Sequence, residues 1–349
     1  MVSIFDDDEY FEHVLAYAEP GNVGATPLGP VAEWREFWRR RWLDCGDDVA
    51  TRLARAQGFV ATPRQLRDVG WTSNDLRREI RRGSWWSPAF GAASPITVSG
   101  TDHSASRRRH PLAATAQALT REAVVISGRS GAIVHGLPTV SVPEQPELTA
   151  PSLYALGKHG NAHVHRATMA ASDIDDWYGA PVTTPSRTIV DLGRHDRFDA
   201  IMALDAALRE DVVTEGEIVA ALEQARGWPG VAQARAVLAL GDGRAESPLE
   251  SVVRLRLHED GFPPAEPQVW IPDPVAGKRY RVDLLMAAER LVIEADGRGK
   301  YTDDALWEEK KREARLRELG FRVERVIWSD VFGGWDETAA RLWCAIRAS

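Results

Sequence analysis

The chain has 349 residues, of which 44% are hydrophobic and 27% charged, and its formal net charge is −8. A chain of this length is expected to form about two or three domains with real hydrophobic cores. No run approaches the roughly 18 consecutive apolar residues of a membrane span, so no transmembrane helix is expected. The negative net charge argues against indiscriminate binding of nucleic acid, so any contact with DNA must come from local basic patches.

The N-terminus and the cysteines predict a cytoplasmic protein. The acidic stretch MVSIFDDDEYFEH lacks the basic region and apolar stretch of a signal peptide. Cys45 and Cys344 are the two cysteines of the sequence and lie far apart in it, so a disulfide framework is not expected. We therefore expect a cytoplasmic location and no membrane partner.

Glycine and proline content and hydrophobic periodicity divide the chain into four segments. They are an N-terminal extension (1–46), a winged helix-turn-helix (47–97), a middle region that is first α/β and then helical (98–242), and a C-terminal segment (243–349). The predicted fold class is therefore α+β and multidomain.

The extension contains the loop-like stretch PGNVGATPLGP, followed by AEWREFWRRRWLD. In the second stretch Trp34, Trp38 and Trp42 recur at helical spacing beside several arginines. An amphipathic helix that docks on the next domain is the favoured interpretation. A basic helix that contacts phosphates is the alternative.

Residues 47–97 have the pattern of a winged helix-turn-helix. Three helical stretches end at Gly58, Gly70 and Gly83, with Thr62 as an N-cap before Pro63, and SWWSPAFGAASPI is the predicted wing. The second helix of the helix-turn-helix enters the major groove in this class of protein. Its predicted DNA-binding residues are Asn74, Arg77, Arg78, Arg81 and Arg82. A solvated helix face in a protein-binding winged helix is the alternative.

The stretch FVATPRQLRDVGWTSNDLRREIRRG resembles the N-terminal winged helix of AbiEi-type antitoxins, which belong to bacterial toxin–antitoxin and abortive-infection systems. The resemblance implies a DNA-binding regulator with a cognate toxin as a second partner. Together with the C-terminal segment it covers about residues 48–345.

The middle region carries no obvious catalytic chemistry. Residues 110–180 mix helices and strands, and 185–242 show the i, i+3, i+4 apolar spacing of helices, with a capping box at Thr214 and Glu217. His163 and His165 alternate on one strand, but no cysteine or acid at metal spacing accompanies them, so no metal site is predicted there.

The C-terminal segment reads as helix, three strands, helix and strand, and it carries two acids on a tight hairpin. A two-residue loop at Ala288 and Glu289 would place Asp283 directly opposite Glu294. Directly opposed residues share a face of the sheet, with Cβ atoms roughly 5 Å apart. Like charges in that arrangement are destabilising. Either the two are structural, as solvated strand acids or with the pKa of one acid raised, or they form a divalent-cation site.

A third acid, Glu250, lies one helical turn into the preceding helix. Glu246 and Glu250 are spaced i,i+4, so both are expected to project from one side of that helix. Mg²⁺ or Mn²⁺ is the predicted cofactor, because such hard cations are held by one or two carboxylates, waters and phosphate oxygens.

This segment resembles the PD-(D/E)xK nucleases, and more specifically the bacterial domains related to very-short-patch-repair endonucleases. The matching stretches are ESPLE, RVDLL, VIEADG and KKREARLRELGFRVERVIWSDV. The resemblance implies a restriction-endonuclease-like core and a metal-dependent endonuclease. It also implies metal ligands at Asp283 and Glu294, with Glu250 as a supporting acid.

One position departs from the nuclease pattern. The family has a lysine two residues after the second acid, where this chain has Asp296. An ion pair between Asp296 and Arg281, which the hairpin register places opposite it, is one interpretation. Lys300, Lys310 and Lys311 are the candidates for the missing ammonium. The predicted catalytic residues are Glu250, Asp283, Glu294, Asp296 and Lys300.

Two functions therefore remain open. The first is a DNA-binding, magnesium-dependent endonuclease, a hydrolase of phosphodiester bonds. The second is an AbiEi-like antitoxin or transcriptional regulator whose nuclease fold is degenerate and does not catalyse.

Overall fold

The computed structural model describes residues 29–121, 123–151, 157–159, 161–296 and 303–347. Within them the chain forms fourteen α-helices and two β-sheets, one of six strands and one of four. The predicted class, a multidomain α+β protein, is confirmed. No helix in this part of the chain is long and apolar enough to cross a membrane.

The first helix, α1 (Pro30–Asp44), docks on the rest of the protein through tryptophans. Trp34 and Trp38 are buried, and the Trp38 ring lies 5.0 Å from the Trp177 ring and 5.6 Å from the Phe59 ring, centroid to centroid. The Trp34 indole N–H donates to the carbonyl oxygen of Val134 at 3.1 Å. The prediction of a docking amphipathic helix is confirmed.

Residues 49–96 form a winged helix. Its helices are α2 (Val49–Arg55), α3 (Pro63–Asp68) and α4 (Ser73–Arg82). Thr62 and Thr72 form capping boxes at the starts of α3 and α4, and Gly83 ends α4 with φ of +77°. The wing is closed by the antiparallel bridges Trp86–Ser94 and Ala61–Ala93.

The middle region begins with a six-stranded sheet in the order β3-β4-β2-β1-β6-β5. Its elements are α5 (His103–Leu119), β1 (Val125–Ile126), α6 (Gly128–His135), β2 (Glu147–Ala150), β3 (Gly157–His159), β4 (Ala162–Arg166), β5 (Ile174–Trp177) and β6 (Ala180–Thr183). Four helices follow: α7 (Pro185–His195), α8 (Arg197–Arg209), α9 (Glu215–Gln224) and α10 (Val231–Leu238). The capping box predicted at Thr214 and Glu217 is present.

The C-terminal segment has the predicted order of helix, three-strand meander, helix and strand. Its elements are α11 (Pro248–Glu259), β7 (Glu266–Asp273), β8 (Lys278–Met286), β9 (Leu291–Ala295), α12 (Asp303–Glu318), β10 (Arg322–Val326), α13 (Trp328–Phe332) and α14 (Trp335–Arg347). The sheet order is β10-β9-β8-β7, with β10 parallel to β9 and the other pairs antiparallel.

The largest buried apolar cluster crosses the middle and C-terminal segments. It joins Leu204 of α8 and Val237 of α10 to Val252 of α11 and Ile293 of β9. A second cluster joins the winged helix to the six-stranded sheet, through Phe59 among others. The domain boundaries stay predictions, but the buried core is continuous across the boundary predicted at residue 243.

Candidate functional site

The β8–β9 hairpin has the predicted register. Met286 pairs with Leu291 and Leu284 with Ile293, so Asp283 and Glu294 are next in line on the two strands. Their carboxyl groups share a hydrogen bond, and Asp283 Oδ2 also accepts from the Ala295 backbone N–H at 2.9 Å. Burial raises the pKa of Asp283, although these hydrogen bonds offset part of the effect.

Glu250 joins this pair from the first turn of α11. Ser247 caps the helix by accepting from the Glu250 backbone N–H at 3.2 Å, and the Glu250 side chain turns inward, where the residue is 3% exposed. Its Oε2 accepts from Gln268 Nε2 at 2.8 Å and from the Glu246 backbone N–H at 3.1 Å. Burial, and then the charge of Asp283, raises the pKa of Glu250 to about 7. Glu250, Asp283 and Glu294 are called the acid cluster below.

Arg312 of α12 contacts the acid cluster. Its Nη2 donates to Glu294 Oε1 at 2.9 Å and to the carbonyl oxygen of Arg281 at 2.6 Å. Its charge also lowers the pKa of Asp283, against the larger effect of burial. Neither Arg312 nor Gln268 is among the site residues predicted from the sequence.

The ion pair predicted between Asp296 and Arg281 is wrong. Arg281 instead donates to both carboxylate oxygens of Glu246, at 2.8 Å each, because the start of α11 approaches that end of β8. Asp296 is paired with Arg325 of β10 at 3.3 Å.

The three candidate lysines do not supply a described contact with the acid cluster. Lys300 lies outside the described residues, so its predicted catalytic role stays a prediction. Lys310 is exposed, and Lys311 Nζ donates to Glu308 Oε1 at 2.7 Å on the surface of α12. Arg312, the next residue, contacts Glu294.

Glu250 differs from the other buried acids of the described chain. Asp173, Asp199, Asp205, Asp273 and Glu294 each contact an arginine. Glu250 instead contacts an amide side chain and a backbone N–H. Within the described ranges, no three His, Cys, Asp or Glu side chains are grouped so that they could hold a metal ion. The predicted Mg²⁺ or Mn²⁺ therefore stays a prediction.

The predicted DNA-binding residues all lie on α4, which has no buried residue. Arg78 pairs with Asp75 at 2.8 Å and Arg82 with Glu79 at 3.3 Å, so acids of the same helix neutralise part of its charge. Arg81 contacts no carboxylate of the described chain. The wing tip adds an aromatic side chain, Phe90, which is 93% exposed.

A separate cavity of about 410 Å³ lies between the six-stranded sheet and α7. His163, His165 and His195 line it, with ring centroids 4.4 Å apart for the first pair and 5.8 Å for the second. Burial, and then the two neighbouring histidines, lowers the pKa of His165 to about 4, so that ring is neutral at physiological pH. Arginines of the cavity wall, such as Arg194, are paired with acids of the same wall.

The fold and these sites define a multidomain α+β protein with an exposed basic helix at one end and an acid cluster at the other. The chain matches no model of a known protein family. It is 35% identical over 166 residues to two uncharacterised proteins of Mycobacterium tuberculosis, Rv2248 of strain ATCC 25618 / H37Rv and MT2308 of strain CDC 1551 / Oshkosh. The match covers 47% of this chain and 61% of each relative, so it spans less than two thirds of their length.

Among solved structures, the crystal structure of the RV2827C protein from Mycobacterium tuberculosis is similar over 57% of this chain and 76% of that one. The identity is 19% and the TM-score 0.34. A similarity this distant carries no argument about function.

Proposed function

We propose that this protein binds DNA through its winged helix and hydrolyses phosphodiester bonds at the acid cluster with Mg²⁺ or Mn²⁺. The observation that supports the proposal is the grouping of Glu250, Asp283 and Glu294, in which Glu250 and Asp283 have no ion pair among the described residues. Burying like charges together costs stability, and titratable groups with strongly shifted pKa values concentrate at functional sites.

The donor chemistry of the cluster fits a hard divalent cation. Mg²⁺ is commonly held by one or two carboxylates, with waters and substrate phosphate oxygens completing its shell. Asp283 and Glu294 would hold the ion, since Asp283 contacts no cation among the described residues. A bound ion would supply Lewis-acid stabilisation to the reacting phosphate.

The chain's own residues have separate roles in this proposal. Glu250, with a pKa of about 7, is matched to take a proton from water near neutral pH. Arg312 orients Glu294 through their 2.9 Å contact and adds positive charge beside the phosphate. The arginines of α4 would hold the phosphates of the bound duplex.

A second candidate function is regulation of transcription without catalysis. The contact between Arg312 and Glu294 favours it, because a side chain already supplies one of the cations that the acid cluster needs. Asp296 in the position of the family's lysine favours it as well. The winged helix would then bind operator DNA, and a toxin protein would be the second partner that the antitoxin resemblance implies.

The experiment that tests the proposal is nicking of supercoiled plasmid with Mg²⁺, with Mn²⁺ and with chelator. Nicking should require the metal, and Asp283→Asn should reduce it about 100-fold or more, as expected when charge stabilisation is removed from an active site. Arg78→Ala with Arg82→Ala should weaken DNA binding and reduce its log–log salt slope by about 1 for each lost phosphate contact.

The experiments test cleavage and DNA binding separately. A protein that stays inactive with Mn²⁺ on duplex, mismatched and single-stranded substrates is not this nuclease, and the regulator remains. If the double arginine variant keeps its DNA affinity and salt slope, the winged helix binds another partner.

A further inference from the structure

The β7–β8 hairpin carries an exposed tryptophan beside two arginines of the neighbouring strand. Trp270 is 48% exposed, which is unusual for a side chain with so much apolar surface. The guanidinium carbon of Arg279 lies 4.3 Å from its ring centroid, and that of Arg281 lies 5.8 Å away. This combination of an open aromatic face and guanidinium groups is called the Trp270 platform below.

The Trp270 platform is linked to the acid cluster through one intervening residue, Glu246. Arg281, the cross-strand partner of Trp270, forms the two-bond pair with Glu246, whose backbone N–H donates to Glu250. Along the strand, Arg281 is two residues from Asp283, a rise of roughly 7 Å. Successive nucleotides of an extended strand are spaced on the same scale, so a phosphate at the acid cluster and a neighbouring base at Trp270 are compatible with one extended strand.

The far end of the hairpin is held rigidly. Asp273 receives two hydrogen bonds from Arg315 of α12, at 2.6 and 2.8 Å, and accepts from the backbone N–H groups of Val275 and Ala276. Arg315 is the main reason that the pKa of Asp273 lies well below its usual range. Trp270 therefore lies on a strand whose end is fixed by these contacts, which reduces the backbone entropy lost on binding.

The charges around Trp270 fit a nucleic-acid strand. Arg279 is exposed and contacts no carboxylate of the described chain, so its guanidinium is available to a phosphate. Aromatic faces beside arginines stack on bases of any sequence, and this is a common device of proteins that bind single strands. The bases of an intact duplex are stacked on each other and cannot offer a free face.

We propose that Trp270, Arg279 and Arg281 form a stacking site for an unpaired base, so that the acid cluster acts on single-stranded or locally unpaired DNA. This inference rests on the proposed function, because it names the substrate class of the same site. In this proposal the stacking site at Trp270 binds unpaired DNA, whereas α4 binds an intact duplex.

The test measures binding of a short fluorescein-labelled oligonucleotide, single-stranded or annealed to its complement, by fluorescence anisotropy in the presence of chelator. The full-length protein carries Arg78→Ala and Arg82→Ala, so that the winged helix contributes little. Trp270→Ala should lower affinity for the single strand about tenfold, as removal of one stacking aromatic does, and leave duplex binding unchanged. Trp270→Phe, which keeps an aromatic face, should retain most of the affinity.

Trp42→Ala is the matched control. Trp42 is 39% exposed and, like Trp270, has a guanidinium group near its ring: that of Arg55 lies 4.6 Å from the ring centroid. It lies on α1, however, outside the C-terminal segment that carries the acid cluster. The inference is overturned if Trp270→Ala weakens single-strand binding no more than Trp42→Ala, or weakens duplex binding equally. The binding assay involves neither metal nor cleavage. If the parent protein does not nick DNA, the nuclease proposal is refuted, but the binding result at Trp270 is unaffected. Thermal melting of each variant excludes loss of the fold as the cause.

Discussion

The helical middle region and the C-terminal sheet both bury carboxylates, but they neutralise them differently. In the middle region each buried acid contacts an arginine. Asp205 of α8 pairs with Arg254 at 2.6 Å, and Asp173 pairs with Arg187 at 3.0 Å. These pairs connect elements that are distant in sequence, so their charges are used to hold the fold together.

In the C-terminal sheet Asp273 pairs with Arg315 in the same way, but the acid cluster differs. Arg312 reaches Glu294, while Glu250 and Asp283 have hydrogen bonds but no ion pair among the described residues. A carboxylate that contacts an arginine is already neutralised, whereas Glu250 and Asp283 have no ion pair among the described residues. The balance of charge within a buried group, and not burial alone, therefore distinguishes the proposed site.

The largest change in stability is expected at a buried ion pair of the middle region. Asp205→Asn should destabilise the protein by about 3–5 kcal/mol, because Arg254 would stay buried without its carboxylate. Urea unfolding measures the loss. Glu223→Gln, which breaks an exposed ion pair with Arg235, is the control and should cost less than about 1 kcal/mol. Equal losses in the two variants would show that the buried pair has no special structural role.

Glu250→Gln should stabilise the protein, whereas Asp205→Asn should destabilise it. The folded-state pKa of Glu250 is about 7 and lies above the ordinary value of 4.5, so stability is lost as the pH rises from 4.5 through about 7. Glutamine mimics the protonated acid and can keep both hydrogen bonds to the oxygen. The variant should gain roughly 3 kcal/mol at about pH 8 and under about 1 kcal/mol at about pH 5.

Urea unfolding of Glu250→Gln and the parent protein at the two pH values measures this gain. A variant that is less stable than the parent at the higher pH would mean that Glu250 is a satisfied structural acid, like Asp205.

The smallest effect concerns the cation inside the cluster. Arg312→Gln should raise Mn²⁺ affinity about tenfold, equivalent to ~1.4 kcal/mol, because a positive charge that repels the metal is removed. Calorimetry measures the affinity. Arg317→Gln on the same helix is the control, since Arg317 pairs with Glu313 on the surface. A fall in affinity would mean that Arg312 positions Glu294 for the metal instead of competing with it.

Features set by neighbouring residues were predictable from the sequence. The capping threonine Thr62 follows from side-chain bonds that close within one turn. The pairing of Met286 with Leu291 follows from the length of one tight turn. For the same reason the hairpin pattern alone was enough to place the two central acids, Asp283 and Glu294, opposite each other.

Features set by the approach of distant elements were not predictable. Arg281 binds Glu246 because α11 begins beside β8, and no local pattern contains that distance. Gln268 lies across from Asp283, between the pairs Pro267–Leu284 and Val269–Val282, with φ of +58°. Predicting that Gln268 lies beside Asp283 would have required the register of the longer β7–β8 hairpin.

Arg312 did leave a signal in the sequence. It precedes Leu316 by four residues on α12, and Leu316 is buried against the sheet with 1% exposure. Residues spaced i,i+4 share a helix face, so the apolar periodicity of α12 points Arg312 towards the strands. The nuclease pattern asks for a lysine, which favoured the neighbouring Lys310 and Lys311 over this arginine.

The continuity of the buried core has a consequence for how the proposed enzyme would choose the bond to cut. Apolar clusters join the winged helix to the six-stranded sheet, and join the helical region to the C-terminal sheet. A nuclease tethered to its DNA reader by a loose chain cuts over a spread of positions. Here packed elements connect α4 to the acid cluster through the described chain, so the offset between the bound sequence and the cut would be one fixed number of nucleotides.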